Sequence, residues 1–168
     1  MKILLTGGAG YIGSHTFVAL AQAGYLPVIL DNFSNSHPAV LDRLRAMTGE
    51  SALCEEGDVL DTAWVEDVLR RHRIAGVIHF AGDKAVGESV TQPLKYYRNN
   101  LCGAISLMRA MEAAGCQALV FSSSATVYGD PATVPISENS PRSHTNPYGH
   151  TKLVIEDMLA TQCVARPA

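Results

Sequence analysis

The sequence predicts an α/β fold, a doubly wound parallel sheet with helices on both faces. Three observations carry this expectation. Short apolar runs alternate with helical patterns through the 168 residues. A glycine-rich junction, Thr6-Gly7-Gly8-Ala9-Gly10-Tyr11-Ile12-Gly13, joins the first run to the first helical pattern. An acidic residue, Asp31, closes the second run.

The strand-like runs are Lys2 to Thr6, Leu26 to Leu30, Ala52 to Glu55, Gly76 to Phe80 and Ala118 to Ser122. Each is short, apolar and bounded by glycine or polar residues, as strands buried on both faces are. Helical spacing fills the gaps. Ile12 to Ala23 is followed by Gly24 as a stop signal, and Val40 to Met47 follows the polar loop Asp31 to Pro38. Thr62 to His72 sets Val65, Val68 and Leu69 on one stripe, and Pro93 to Ala114 reads as one long helix ending at Gly115. Asn146-Pro147 has the form of an N-cap followed by proline at the first helical position, opening a helix to about Cys163. Strict alternation with right-handed crossovers gives the strand order 3-2-1-4-5. The segment Ser123 to Asn146, with Pro131, Pro135 and Pro141, is a long loop, and long loops in compact domains are commonly functional.

Composition narrows the function. The chain is 47% hydrophobic and 17% charged with a net charge of −3, so it fills one core and has no general affinity for nucleic acid or anionic membranes. No apolar stretch nears the ~20 residues of a membrane span, and Ile3-Leu4-Leu5 is too short for a signal-peptide core. A cytoplasmic setting is expected. Cys54, Cys102, Cys116 and Cys163 lack C-x-x-C spacing, which predicts reduced thiols and no metal site.

The glycine junction points to a dinucleotide. A tight turn with positive φ suits Gly7; a pyrophosphate needs bare backbone N–H groups; the helix at Gly13 must pack close to the strand. Free N–H groups and the helix dipole stabilise the anion. Asp31 is placed to bond the adenosine ribose hydroxyls, and its charge disfavours a 2′-phosphate, so the expected cofactor is NAD rather than NADP. An ordinary glycine turn with a capping aspartate is the plain alternative. Asp58, after the third strand, suits either the adenine amino group or a helix cap. Phe80-Ala81-Gly82 ends the fourth strand with small residues that let a ligand approach backbone.

Tyr148 and Lys152 are i and i+4 on the last helix, and Ser122-Ser123-Ser124 follows the fifth strand. Such a set performs base chemistry on an alcohol. A tyrosine base must surrender a proton of pKa about 10, and bringing that near neutrality takes about 4 kcal/mol. A neighbouring ammonium and an oxidised nicotinamide both favour phenolate. Ser124 would bond the reacting oxygen while Tyr148 takes the proton. Taken alone, Tyr-x-x-x-Lys is an ordinary surface pair; its position after the glycine loop and a serine-ended strand gives it meaning. His150 is expected to face away, into solvent.

These motifs identify the chain as resembling the extended short-chain dehydrogenase/reductase family, and within it the branch that epimerises UDP-hexoses at C4. The residues that carry the resemblance are TGGAGYIGSHT (Thr6 to Thr16), DNFSNS (Asp31 to Ser36), HFAGDKAVGESV (His79 to Val90), YYRNN (Tyr96 to Asn100), FSSSATVYGD (Phe121 to Asp130) and PYGHTK (Pro147 to Lys152). The resemblance implies a Rossmann domain. Gly7, Gly10, Tyr11, Ile12, Gly13, Asp31, Asn32, Phe33, Ser34, Asn35, Ser36, Asp58, Val59, Phe80, Ala81, Gly82, Lys84 and Asn99 would line the NAD site. Ser124, Tyr148 and Lys152 would serve both cofactor and catalysis. It implies interconversion of UDP-galactose and UDP-glucose through a 4-keto sugar, with hydride leaving C4 and returning to the other face. Family members pair through helices matching Pro93 to Ala114 and Pro147 to Cys163, so a homodimer is expected. Leu101, Ile105, Leu107, Met108 and Met111 offer apolar surface for pairing or for core packing. Asp83 stands where the family carries an apolar residue, setting a carboxylate beside Lys84.

Family members continue past the point matching Ala168 into another strand and a smaller domain that holds the uridine nucleotide and sugar. The expectation is one incomplete NAD-binding domain over 1–168, truncated after the Tyr-x-x-x-Lys helix, with little epimerase activity by itself. The tail from Cys163 does not read as the next strand. Two alternatives stay open. One is another nucleotide-sugar epimerase or dehydratase, although dehydratases carry an Asp-Glu pair where this chain has Ser124-Ala125-Thr126. The other is a non-catalytic NAD-binding module.

Overall fold

The computed structural model describes residues 1–165. They fall into two compact units, one formed by Met1–Ala81 with Ile105–Ser122, the other by Gly82–Ala104 with the chain from Ser123 onward.

The first unit holds a five-stranded parallel sheet in the order β3-β2-β1-β4-β5. Its strands are β1 (Lys2–Thr6), β2 (Leu26–Asp31), β3 (Leu53–Glu56), β4 (Gly76–His79) and β5 (Ala118–Phe121), within one residue of the expected limits. In register, Leu4 lies beside Val28 on one side and Val77 on the other. The period-2 alternation of a strand then sorts the apolar residues. Ile3, Leu5 and Ile29 point to one face and pack with Phe17 and Leu44, carried by helices α1 (Tyr11–Gln22) and α2 (Ala39–Thr48). Leu4, Val28, Leu30 and Val77 point to the other, against α3 (Thr62–His72) and the long helix before β5. Each fully buried aliphatic side chain contributes about 1.5–3 kcal/mol.

Local chemistry sets the ends of α3. Asp61 accepts the Trp64 N–H at 3.0 Å as N-cap, and Arg73 closes the helix in the left-handed region at φ 52°. The cap is therefore Asp61, not Asp58. Helix α1 starts at Gly10 with no side-chain cap, which leaves first-turn N–H groups for a ligand.

The expected long helix over Pro93 to Ala114 is interrupted. It runs as α5 (Pro93–Tyr96), a π-helical segment (Tyr97–Cys102) and α6 (Gly103–Ala114). Apolar spacing does not register a switch from i+4 to i+5 bonding. Before it lies α4 (Val86–Thr91), which sequence spacing did not indicate. On α6, Leu107 and Met111 are 0% and 5% exposed in the core, so packing rather than pairing claims them; Ile105 is 41% exposed. Among the described residues β5 pairs with β4 alone, and Val120 is 61% exposed on that edge strand.

The second unit is built around α7 (Pro147–Ala165), with α4, α5, the π-helical segment and a 3-10 turn at Ala125–Val127. Asn146 caps α7 by accepting the Gly149 N–H at 2.8 Å, as its sequence predicts. Helix α7 carries on through residues 163–165, and residues 166–168 of the expected tail lie outside the described residues.

Candidate functional site

In the first unit, the glycine loop is a cradle from which side chains are excluded. Gly7 sits at φ +67°, and a Cβ there would come within 2.7 Å of the Ala81 backbone nitrogen. A Cβ on Gly13 would approach the Gly7 carbonyl oxygen to 2.5 Å. The strand-to-helix turn is thus closed by backbone against backbone, and the open N-terminus of α1 follows it. Tyr11 and Ile12 are 74% and 56% exposed there, an unusual placement for large apolar residues in a first helical turn.

Asp31 is buried, and the protein itself holds its carboxylate. Oδ2 accepts the Ala9 N–H at 2.9 Å, and Oδ1 accepts the Phe33 N–H and the Ser36 hydroxyl, each at 2.9 Å. A carboxylate has about four acceptor positions, so one remains beyond these three donors. The same carboxylate therefore sets the glycine loop and folds Asn32–Ser36 into its turn, with Phe33 at φ 54°. The turn is tied onward: Asn32 Nδ2 donates to Asp58 Oδ2 at 3.1 Å, and Asp58 Oδ1 accepts the Leu60 N–H at 2.9 Å. Ser34 N–H bonds back to Asn32 Oδ1 at 3.0 Å, and Asn35 is exposed. Val59 is 7% exposed in the core, so only its backbone is placed to meet a ligand. Phe80 and Ala81 pack on opposite faces of the sheet at the end of β4.

In the second unit, Ser124 caps the 3-10 turn, its Oγ accepting the Thr126 N–H at 3.2 Å and the Thr126 hydroxyl at 2.9 Å. This turn sits on α7 at Gly149, where a Cβ would be 2.9 Å from the Thr126 carbonyl oxygen. Glycine at that position brings the Ser124 turn against the helix one residue from Tyr148. Tyr148 and Lys152 are 9% and 6% exposed, so the pair is buried rather than the solvated pair that the motif alone allows. Burial pushes the Lys152 ammonium down to a pKa of about 8. It remains mostly charged at neutral pH.

Sequence reasoning missed the residues that hold this set. Asn100, 2% exposed on the π-helical segment, accepts the Asp83 N–H at 2.8 Å and donates to the Asp83 carbonyl and the Thr151 hydroxyl, each at 3.0 Å. The backbone at Asp83 is thus fixed whatever its side chain, while Lys84 is exposed and Asn99 half-buried. The hydrogen bond from Lys95 to Glu88 raises the Lys95 pKa against the opposing effect of burial, and burial followed by Glu88 raises that of Tyr96; the Asp83 carboxylate adds a lesser upward push to each. The Ser123 hydroxyl donates to Glu156, which also pairs with Arg142 at 3.0 Å. His150 does not face solvent freely: its Nδ1 lies 2.8 Å from the Tyr97 hydroxyl and its ring stacks on His144. A sidedness argument from helix spacing had no means of seeing these partners, which come from another element and from the preceding loop.

Among the described residues, no group of three His, Cys, Asp or Glu is placed to hold a metal ion, and no helix is long and apolar enough to cross a membrane. Cys54, Cys102, Cys116 and Cys163 carry free thiols.

The family described as the NAD dependent epimerase/dehydratase family matches residues 3–165. The chain is 56% identical over 159 residues to UDP-glucose 4-epimerase of Bacillus subtilis (strain 168), covering 95% of this chain and 47% of that protein. It is 50% identical to the Dictyostelium discoideum UDP-glucose 4-epimerase over 166 residues, covering 99% of this chain and 48% of that one. The crystal structure of UDP-glucose 4-epimerase from Bifidobacterium longum in complex with NAD+ and UDP superposes with a TM-score of 0.97 at 45% identity, over 99% of this chain and 50% of that chain. The chain spans about half the length of the curated relatives it matches.

Proposed function

From the premise that the chain belongs to the NAD dependent epimerase/dehydratase family, we propose that it is the NAD-binding part of a UDP-glucose 4-epimerase. One observation carries this reading: a buried Tyr148–Lys152 pair on α7 with the Ser124 turn seated at Gly149, in a chain 56% identical to such an enzyme.

The cradle fits a dinucleotide. Gly7, Gly10 and Gly13 leave room for a pyrophosphate, with the N-terminal N–H groups of α1, at Tyr11 and Ile12, beside it. The remaining acceptor position of Asp31 meets a ribose hydroxyl, and the Asn32–Ser36 turn with Asp58 and Val59 frames the adenosine. Phe80, Ala81, Gly82, Lys84 and Asn99 complete the cofactor set with Ser124, Tyr148 and Lys152. When bound, NAD supplies a hydride acceptor and donor for the sugar C4. Tyr148 takes the proton from the C4 hydroxyl and gives it back after the sugar turns over. Lys152 stabilises the phenolate by its charge, and Ser124 donates a hydrogen bond to the C4 oxygen. UDP-galactose and UDP-glucose are the substrates under this reading. Under this reading the chain belongs to one NAD-binding domain, the protein works in the cytoplasm, and it pairs as a homodimer.

Fluorescence titration with NADH, followed by UDP-galactose, tests the reading. Saturable NADH binding is expected. Absence of NADH binding by a folded chain overturns the proposal. Interconversion of UDP-galactose and UDP-glucose at an ordinary enzymatic rate, about 1 s⁻¹ or more, by the 168-residue chain alone would show that no further substrate-binding part is needed.

A further inference from the structure

His150 lies on α7 midway between Tyr148 and Lys152, and the proposed chemistry gives it no task. It is nonetheless the most heavily engaged imidazole of the second unit. Its Nδ1 is 2.8 Å from the hydroxyl of Tyr97, the first residue of the π-helical segment. The Tyr97 ring meets it edge-on at 5.7 Å and 83°. On another side the His144 ring, from the loop before α7, stacks on it with centroids 4.0 Å apart at 26°. One residue further on, Asn100 of the same π-helical segment bonds the Thr151 hydroxyl at 3.0 Å. Two adjacent tethers thus join that segment to the helical turn between Tyr148 and Lys152. The Asn100 tether has no titrating partner; the His150 tether has two.

We propose that His150, held by Tyr97 and covered by His144, is a positioning residue that clasps the turn carrying Tyr148 and Lys152 to the π-helical segment, and that the clasp loosens when both imidazoles are protonated. With neutral imidazoles and the His150 proton on Nε2, Tyr97 donates to Nδ1 and the two rings stack as neutral planes. A proton on Nδ1 turns that acceptor into a donor and obliges the Tyr97 hydroxyl to reverse. A second proton on His144 sets two cations face to face. Tyr97 from the π-helical segment and His144 from the loop are the titratable groups that face His150; Tyr148 and Lys152 flank it on its own helix. Burial first, and His144 second, hold the His150 pKa below the ordinary histidine value. The sign follows: the folded chain resists protonation that the unfolded chain accepts. The contribution is complete above an ordinary histidine pKa of about 6.5 and is lost as the pH falls below it.

The functional meaning rests on the reading of Tyr148 and Lys152 as a catalytic pair, but the clasp is measured without substrate or cofactor. The 168-residue chain and its His144→Phe variant, which keeps an aromatic cover without charge, are compared by imidazole NMR titration and amide hydrogen exchange. In the wild type the His150 midpoint is expected below the ordinary histidine value, and in His144→Phe it is expected to rise. Protection of the 149–152 amides is expected to fall about tenfold between about pH 7.5 and about pH 5.5 in the wild type, and less than about twofold in His144→Phe. An equal fall in both proteins, or none in the wild type, overturns the clasp. If His144→Phe does not fold, the wild-type titration decides, since a His150 midpoint at or above the ordinary histidine value of about 6.5 overturns the proposal. Exchange behaving as expected in a chain that binds no NADH at either pH supports the clasp and overturns the cofactor reading.

Discussion

A single buried charge sets the balance at the residue scale. Lys152 is 6% exposed, and its pKa falls from 10.5 to about 8 through burial. Below about pH 8 the ammonium is charged in folded and unfolded chains alike, and the folded chain bears the full cost of its desolvation. Between about 8 and 10.5 the folded chain sheds the proton that the unfolded chain keeps, so stability rises with pH. Lys152→Met is therefore expected to lose most of the rise in stability that the wild type shows between about pH 8 and 10.5. Thermal melts across that range check it, and an equal rise in both proteins would refute it. Asp31 has the opposite character. Its carboxylate accepts three hydrogen bonds from Ala9, Phe33 and Ser36. Asp31→Ala is expected to cost about 3 kcal/mol in urea unfolding and at least about tenfold in NADH affinity, because it frees both the glycine loop and the 32–36 turn. The type and place of Asp31 were legible from the sequence. Its three protein donors were not, since none follows from the spacing of a motif.

At the scale of elements, the order of strands follows from alternation with right-handed crossovers, and α1, α2 and α3 lie within one residue of their sequence signals. The second unit was read less well. The π-helical segment Tyr97–Cys102 has the same apolar spacing as an α-helix over so short a span, and α4 has too few residues to show a period. What shapes them is hydrogen bonding by buried polar groups: Asn100 to Asp83 and Thr151, and the Tyr96 hydroxyl to the Ala85 carbonyl at 2.8 Å. The contact of the Ser124 turn with α7 makes a prediction at this scale. Gly149→Ala places a Cβ 2.9 Å from the Thr126 carbonyl oxygen. Alanine is otherwise the better helix former, so propensity alone forecasts a gain of about 1 kcal/mol. The contact instead forecasts a loss of about 2 kcal/mol as the turn is pushed away. Denaturant unfolding distinguishes the two by sign.

For the whole molecule, the proposed homodimer draws on less surface than the sequence suggests. Leu107 and Met111 belong to the core beside α3, which leaves Ile105, 41% exposed, and the half-buried Met108 as apolar residues of that stretch of α6 outside the core. Sedimentation at rising concentration is expected to show a monomer–dimer equilibrium, and Ile105→Asp is expected to weaken it by about tenfold or more. A wild-type chain that stays monomeric at high concentration would refute pairing.

The sequence by itself determined the parallel sheet, its order 3-2-1-4-5, the glycine cradle and the i, i+4 placement of Tyr148 and Lys152. All of these depend on neighbours within a few residues, or on the fixed hand of the crossover. Tertiary structure alone decided that Asp31 is held by Ala9 and Ser36, that Asn100 reaches a threonine 51 positions away, and that His150 is clasped by Tyr97 and His144. These are partnerships of buried or half-buried polar groups, joined in one case by the ring of the exposed His144. Burial obliges each such group to find a partner, and only the folded chain determines which one lies within reach.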